Sequence, residues 1–328
     1  MSTQTLTFAR AITEGLRAAL EQDEKVMLMG EDIGRLGGVF RVTDGLQKDF
    51  GEDRVVDTPL AESGILGTAI GLALRGYRPV CEIQFDGFVF PAYDQITTQL
   101  AKMRYRSRGR VEVPVVVRIP FGGGIGAVEH HSESPEALFA HTAGLRVVSP
   151  ATPQDAYDMI RAAIVSPDPV LFFEPKGRYW SKGEVTLGAP VPDGVLDTAR
   201  VARSGDDVTL VAYGPTVATA LKAAEALAAE GTSAEVVDLR AVSPLDVPAV
   251  AASVRKTGRC VVVHEAPSFL GVGAEIAARV SDECFYSLEA PVQRVGGFHA
   301  PYPVAKLEHE YLPSVDRVLD AVDRALSF

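Results

Sequence analysis

Three groups of residues in this 328-residue chain combine reactive side chains with positions where chemistry is commonly done. The first is Glu62. It lies in Asp57-Thr58-Pro59-Leu60-Ala61-Glu62-Ser63-Gly64-Ile65, after the apolar pair Val55-Val56 and before a run of Gly, Ala, Ile and Leu. A carboxylate beside that much apolar surface is either desolvated or engaged by a partner. The plainer reading is an acid at a helix start, favoured by the dipole and left in water. This stretch alone leaves both open. The second group is Glu129-His130-His131-Ser132, which follows the glycine-rich loop Phe121-Gly122-Gly123-Gly124-Ile125-Gly126. An imidazole there suits proton transfer, because small shifts move its charge across neutral pH. The third is the aromatic pair Phe85 and Phe88, between the other two in sequence.

Other chemistries fit less well. Neither Gly122 to Gly126 nor Gly271-Val272-Gly273-Ala274-Glu275-Ile276 completes a phosphate loop or a dinucleotide fingerprint. No Gly-x-Ser-x-Gly elbow is present, so a hydrolase reading has no nucleophile. Adjacent histidines on a loop point in different directions, and no second Cys/His cluster has metal-ligand spacing.

The elements that must position these groups alternate. Apolar strand-like runs at 25–29, 80–85, 114–119, 146–148 and 170–173 are interleaved with helical periodicity at 7–20, 43–50, 62–75, 88–106 and 135–141. Thr152-Pro153 starts another helix. Continuously apolar strands alternating with helices are the signature of a parallel sheet covered on both faces. The pattern then restarts, with strands at 208–213, 235–239, 260–264 and 292–295 and helices between them, ending in a helix at 315–326. The expected fold is therefore α/β, with two doubly wound α/β domains. The division is 1–180, a Pro- and Gly-rich linker at 181–205, and 206–328. In such sheets ligands bind at the carboxyl ends of strands, and all three candidate groups follow a strand.

Composition narrows the function class. Hydrophobic residues make up 47% and charged residues 23%, enough for full cores in an ordinary globular protein. The net charge of −11 argues against nucleic acid, which needs clustered Lys and Arg, and leaves room for a basic protein partner. Cys81, Cys260 and Cys284 are scattered and odd in number, which points to free thiols in a reducing cytoplasm. The first residues are polar, without a signal-peptide pattern, and no apolar run is long enough to span a membrane.

A family resemblance rests on many motifs in order. They are Gly30-Glu31-Asp32, Gly37-Gly38-Val39-Phe40-Arg41-Val42-Thr43, the Glu62 stretch, Glu82-Ile83-Gln84-Phe85, Phe90-Pro91-Ala92, Asp94-Gln95-Ile96, His131-Ser132-Glu133-Ser134-Pro135-Glu136-Ala137, Phe173-Glu174-Pro175-Lys176, Asp238-Leu239-Arg240 and His264-Glu265. From about residue 5 to its end the chain resembles the β subunit of the thiamine-diphosphate-dependent decarboxylating component of 2-oxoacid dehydrogenase complexes. Its histidine segment and Phe172-Phe173-Glu174-Pro175-Lys176 are most similar to the branched-chain type.

The resemblance implies a pyrimidine-binding domain, a transketolase C-terminal-like domain, and activity only in an α2β2 heterotetramer with an α subunit. It implies thiamine diphosphate held between α and β, with Mg2+ held mainly by α. Consistently, no Gly-Asp-Gly and Asn motif for the metal and diphosphate occurs in this chain. Glu62 takes the position of the carboxyl group that hydrogen-bonds the aminopyrimidine and activates the cofactor. Phe88, a tyrosine in many relatives, takes the position that packs on that ring. His131 takes the position facing the reacting centre, with a role in acyl transfer to lipoamide. Two departures are His130, where relatives often have Tyr, and Glu133, where Gln is common. A structural K+ held by backbone carbonyls would fall near 113–116 and 163–168. Implied partners are the lipoyl domain and the acyltransferase core, the latter docking on the C-terminal domain. The substrate alternatives are pyruvate or acetoin-type compounds.

Overall fold

Val, Ile and Leu runs form strands where both sheet faces are covered, because β-branched and aliphatic side chains pack well on a pleated surface. In the computed structural model, which describes residues 1–328, there are fourteen strands. They are β1 (Ser2–Thr7), β2 (Val26–Gly30), β3 (Val55–Asp57), β4 (Arg78–Glu82), β5 (Val116–Phe121), β6 (Arg146–Val148) and β7 (Val170–Pro175), then β8 (Lys182–Leu187), β9 (Arg200–Arg203), β10 (Val208–Ala212), β11 (Ala234–Asp238), β12 (Ala241–Ser243), β13 (Cys260–Pro267) and β14 (Gln293–Gly297). One seven-stranded sheet has the order β12-β6-β7-β5-β4-β2-β3, and a five-stranded sheet has the order β14-β13-β10-β11-β9. Every pairing within them is parallel except the edge pairs β12–β6 and β9–β11. The two α/β units expected from the alternation are present, each a mostly parallel sheet.

Helices cover both faces. Helix Phe8–Gln22 is capped by Thr7, whose hydroxyl accepts the Arg10 N–H, and lies against helix Pro153–Val165. The latter starts at Thr152 with Pro153 in its first turn. A core of 37 buried residues runs from Met29, Leu66 and Ile96 to Val211, Val262 and Ile276, so the two sheets share one interior.

Three features differ from the sequence expectation. Residues 241–243 leave the second unit and add β12 to the first sheet, with Ala241 opposite Val148. Within 181–205 lie β8 and β9, and β8 pairs antiparallel with β1, which the polar N-terminus did not announce. These pairings join residues far apart in the chain, so local composition carries no trace of them. The helix expected over 88–106 is divided into a 3-10 segment Asp86–Ala92, a π-helical segment Gln95–Leu100 and an α-helix Ala101–Arg106. Pro91 lies inside the first piece, and its missing N–H removes a rung from any regular helix.

Candidate active site

The sheet order sets the carboxyl ends of β5, β4, β2 and β3 side by side. Each of these strands is followed by a candidate residue: His131 after β5, Phe88 after β4, Glu31 after β2 and Glu62 after β3. The crevice outside the carboxyl ends is where open α/β sheets take ligands.

Glu62 is the first residue of helix Glu62–Leu74 and is only 7% exposed. Ala61 precedes it and makes no side-chain cap. The solvated-cap reading therefore does not describe it. Ile65, Leu66, Ala69, Ile70 and Ala73 face the core, while Gly64, Gly67 and Gly71 lie on the exposed side. A Cβ at Gly67 or Gly71 would meet nothing within 4 Å, so the small residues accommodate no neighbour within this chain.

Glu31 is a site residue that sequence reasoning did not single out. It too is 7% exposed, and its Oε1 has no hydrogen-bond partner. Burial pushes its carboxyl above the usual range, and the nearby Glu62 charge pushes the same way. A buried, unsatisfied acceptor facing a second carboxylate is costly unless a ligand or proton completes it. The available signal was its place in Gly30-Glu31-Asp32, directly after a strand. Gln84 fixes that turn by donating to Asp32 Oδ2 at 3.2 Å and to the Glu31 carbonyl at 3.4 Å.

Phe88 and the histidine pair are brought together. The His131 ring centroid lies 4.1 Å from Phe85 and 5.2 Å from Phe88. His130 is further out, 6.1 Å from Phe88, half exposed, with Nδ1 3.6 Å from Glu129. Phe40 extends the aromatic wall, 5.4 Å from Phe85. His131 Nδ1 is buried without a partner. Burial lowers the His131 pKa, as do the charges of His130 and Lys176, so the ring is neutral at pH 7.

Beneath the site, Arg118 on β5 is buried and donates from Nε and Nη2 to Glu174 at 2.6 and 2.9 Å, and from Nη1 to Glu82 at 2.5 Å. Tyr179 OH donates to the same Glu174 at 2.6 Å. This network ties β4, β5 and β7 at the ends that carry the site. A cavity of about 410 Å³ between the two domains begins at Ser132, next to His131, and reaches Glu265 and Tyr302. No cluster of three or more His, Cys, Asp or Glu side chains is arranged to hold a metal ion. The 113–116 and 163–168 segments adjoin, and the Val113 N–H donates to the Pro167 carbonyl at 3.1 Å.

The chain matches two family models, "Transketolase, pyrimidine binding domain" over residues 4–181 and "Transketolase, C-terminal domain" over residues 197–318. It is 63% identical to the pyruvate dehydrogenase E1 component subunit beta of Leifsonia xyli subsp. xyli, over 99% of this chain and 96% of the relative. It is 55% identical to the 3-methyl-2-oxobutanoate dehydrogenase subunit beta of Mycobacterium tuberculosis, over 99% of this chain and 93% of the relative. Among solved structures, a split-gene transketolase described as an inactive β4 tetramer superposes with a TM-score of 0.80 at 25% identity, over 98% of each chain.

Proposed function

The chain belongs to the β subunits of 2-oxoacid dehydrogenase E1 components, and on that premise we propose that it is the β subunit of a branched-chain 2-oxoacid dehydrogenase. It would supply half of a thiamine-diphosphate site and act only with an α subunit in a cytoplasmic α2β2 enzyme. The observation that carries the cofactor site is Glu62 heading its helix beside the unsatisfied Glu31, on the strand ends next to those bearing Phe88 and His131; the branched-chain choice rests on the resemblance of residues 131–137 and 172–176 alone.

Those residues fit the cofactor's aminopyrimidine end. The orphaned Glu31 oxygen and the partnerless His131 Nδ1 await hydrogen-bond partners, and the aromatic wall suits a flat ring. When bound, thiamine diphosphate supplies the carbon nucleophile and the electron sink that decarboxylation of a 2-oxoacid requires. Glu62 would hold the aminopyrimidine end of the cofactor through its carboxyl group. Burial, and then the Glu62 charge, push the Glu31 carboxyl above its usual range, which favours sharing a proton or a ligand hydrogen bond at this pair. Phe88 packs on the ring and, with Phe85 and Phe40, excludes water. His131, with its pKa lowered by burial, would face the reacting centre and could take up or return a proton during acyl transfer to a lipoyl group. In this reading Mg2+ and the diphosphate are held mainly by the α subunit, as the family resemblance implies. A structural K+ on the carbonyls of 113–116 and 163–168, which the resemblance implies, belongs to the same proposal.

The exposed glycine stripe of helix Glu62–Leu74 has the open surface that close approach of a partner subunit needs. The C-terminal domain would dock the acyltransferase core, where the acidic chain meets a basic binding domain. A second reading, pyruvate as substrate, is favoured by the 63% identical relative. The test is co-expression with the cognate α subunit and steady-state rates on 3-methyl-2-oxobutanoate and pyruvate. The first reading expects preference for the branched substrate and no decarboxylation by the isolated chain. Preference for pyruvate selects the second reading, and activity without α overturns the split site.

A further inference from the structure

Two fully buried opposite charges lie behind the histidine loop, outside the residues assigned to contact the cofactor or substrate. Lys176 follows β7 and Asp86 follows β4; both side chains are 0% exposed, and they form an ion pair through Nζ and Oδ1. Burying two charges is expensive, and such pairs are weak evidence for stability. Their other contacts indicate what this pair does. Asp86 Oδ2 accepts the backbone N–H of Glu133 at 2.8 Å, which anchors the loop two residues after His131. Asp86 also begins the segment that carries Phe88. Lys176 Nζ sits 5.5 Å from the centroid of Phe85, the ring that packs 4.1 Å from His131. One ion pair thus touches the segment bearing Phe88, the loop bearing His131 and the end of β7.

We propose that the buried Asp86–Lys176 pair is a positioning device for His131, holding its loop in register with Phe88 and setting the lysine behind Phe85, the ring that packs on His131. The proposal rests on the reading of His131 given above. Three charged or titratable groups bear on that ring. Lys176 and His130 favour its neutral form and Glu129 opposes them. Of the three, Lys176 alone is buried, and salt screens a buried charge far less than the half-exposed His130 and Glu129. Its loss moves the His131 pKa up towards the ordinary histidine value. The acid limb of the rate profile then moves to higher pH, because a larger fraction of His131 is protonated at any given pH.

Removing Lys176 alone strands Asp86 as a buried charge and endangers folding. The test therefore uses Asp86→Asn/Lys176→Gln, which removes both charges together, with Lys176→Arg as the conservative control. Each variant is assembled with the α subunit. Assembly and circular dichroism are checked first, and His131 is then titrated by NMR with 13Cε1-labelled histidine, its signal assigned by loss in His131→Asn. The double variant is expected to assemble, to titrate His131 at higher pH than wild type, and to lose about 10- to 100-fold in kcat with 2-oxoacid KM little changed, the cost of misplacing one catalytic group. Lys176→Arg, which keeps the charge, is expected to keep the wild-type titration. An assembled double variant with wild-type His131 titration and kcat overturns the proposal. If His131→Asn itself keeps wild-type acyl transfer, the reading of His131 fails instead, and the NMR titration still judges the clamp.

Discussion

Gly87 lies between Asp86 and Phe88, and a single methyl there tests whether loop registration matters. A Cβ built on Gly87 would lie 2.3 Å from the His130 carbonyl oxygen and 3.0 Å from its Cα. Ordinary contact begins at 3.4 Å, so the histidine loop must retreat by about 1 Å. The obstacle is backbone, and no side-chain rotation relieves it. Overpacking of this kind costs about 1–3 kcal/mol, which a chain of this size survives. Activity should suffer more, because a displacement of about 1 Å can cost about 100-fold in rate. The expected result for Gly87→Ala is an assembled enzyme, a modest fall in unfolding midpoint and a kcat lower by one to two orders of magnitude. The assay is steady-state decarboxylation with the α subunit present, beside a urea titration. An assembled Gly87→Ala enzyme with wild-type kcat would show that the spacing of the His131 loop from Phe88 does not govern turnover.

Arg118→Met should destabilise the chain by about 3–5 kcal/mol, because Glu82 and Glu174 are left as buried, uncompensated charges; chemical denaturation reads this directly. Glu136 and Glu265 are each held by burial at a pKa of about 7, against 4.5 when exposed. The native state therefore keeps protons that the unfolded chain releases, and stability falls as pH rises from 4.5 towards 7. The fall is about 3 kcal/mol per group by the value of one pKa unit. Glu265→Gln should flatten that decline in urea midpoints taken between pH 5 and 8; an unchanged slope would exclude Glu265 as a source. Docking of the acyltransferase core should weaken strongly between low and high salt if the −11 chain meets a basic domain, and calorimetry across salt concentrations measures it.

The two α/β units were legible because continuously apolar strands alternate with helices along the whole chain. The Glu62 helix was legible from its apolar run, and the order of loops after strands placed the candidate groups at one sheet edge. The missing parts have physical reasons. β12 pairs with β6 across almost a hundred residues, and the separate two-stranded sheet β1–β8 joins the two ends of the first unit, so neither leaves a local pattern. Pro91 marked the break in the expected helix at 88–106, but its neighbours keep helical spacing and hid it. Glu31 appeared only as part of the Gly30-Glu31-Asp32 motif, since only the folded sheet sets β2 beside β3 and brings it to Glu62. Asp86 and Lys176 belong to turns 90 residues apart, and no spacing rule connects them.

The most direct measurement of the central claim is the decarboxylation rate of the assembled α2β2 enzyme carrying Glu62→Ala, with assembly verified by sedimentation. The account predicts an intact heterotetramer with almost no turnover, because the carboxyl group that engages the cofactor is gone. Wild-type-like turnover by that intact variant would contradict the assignment of the site.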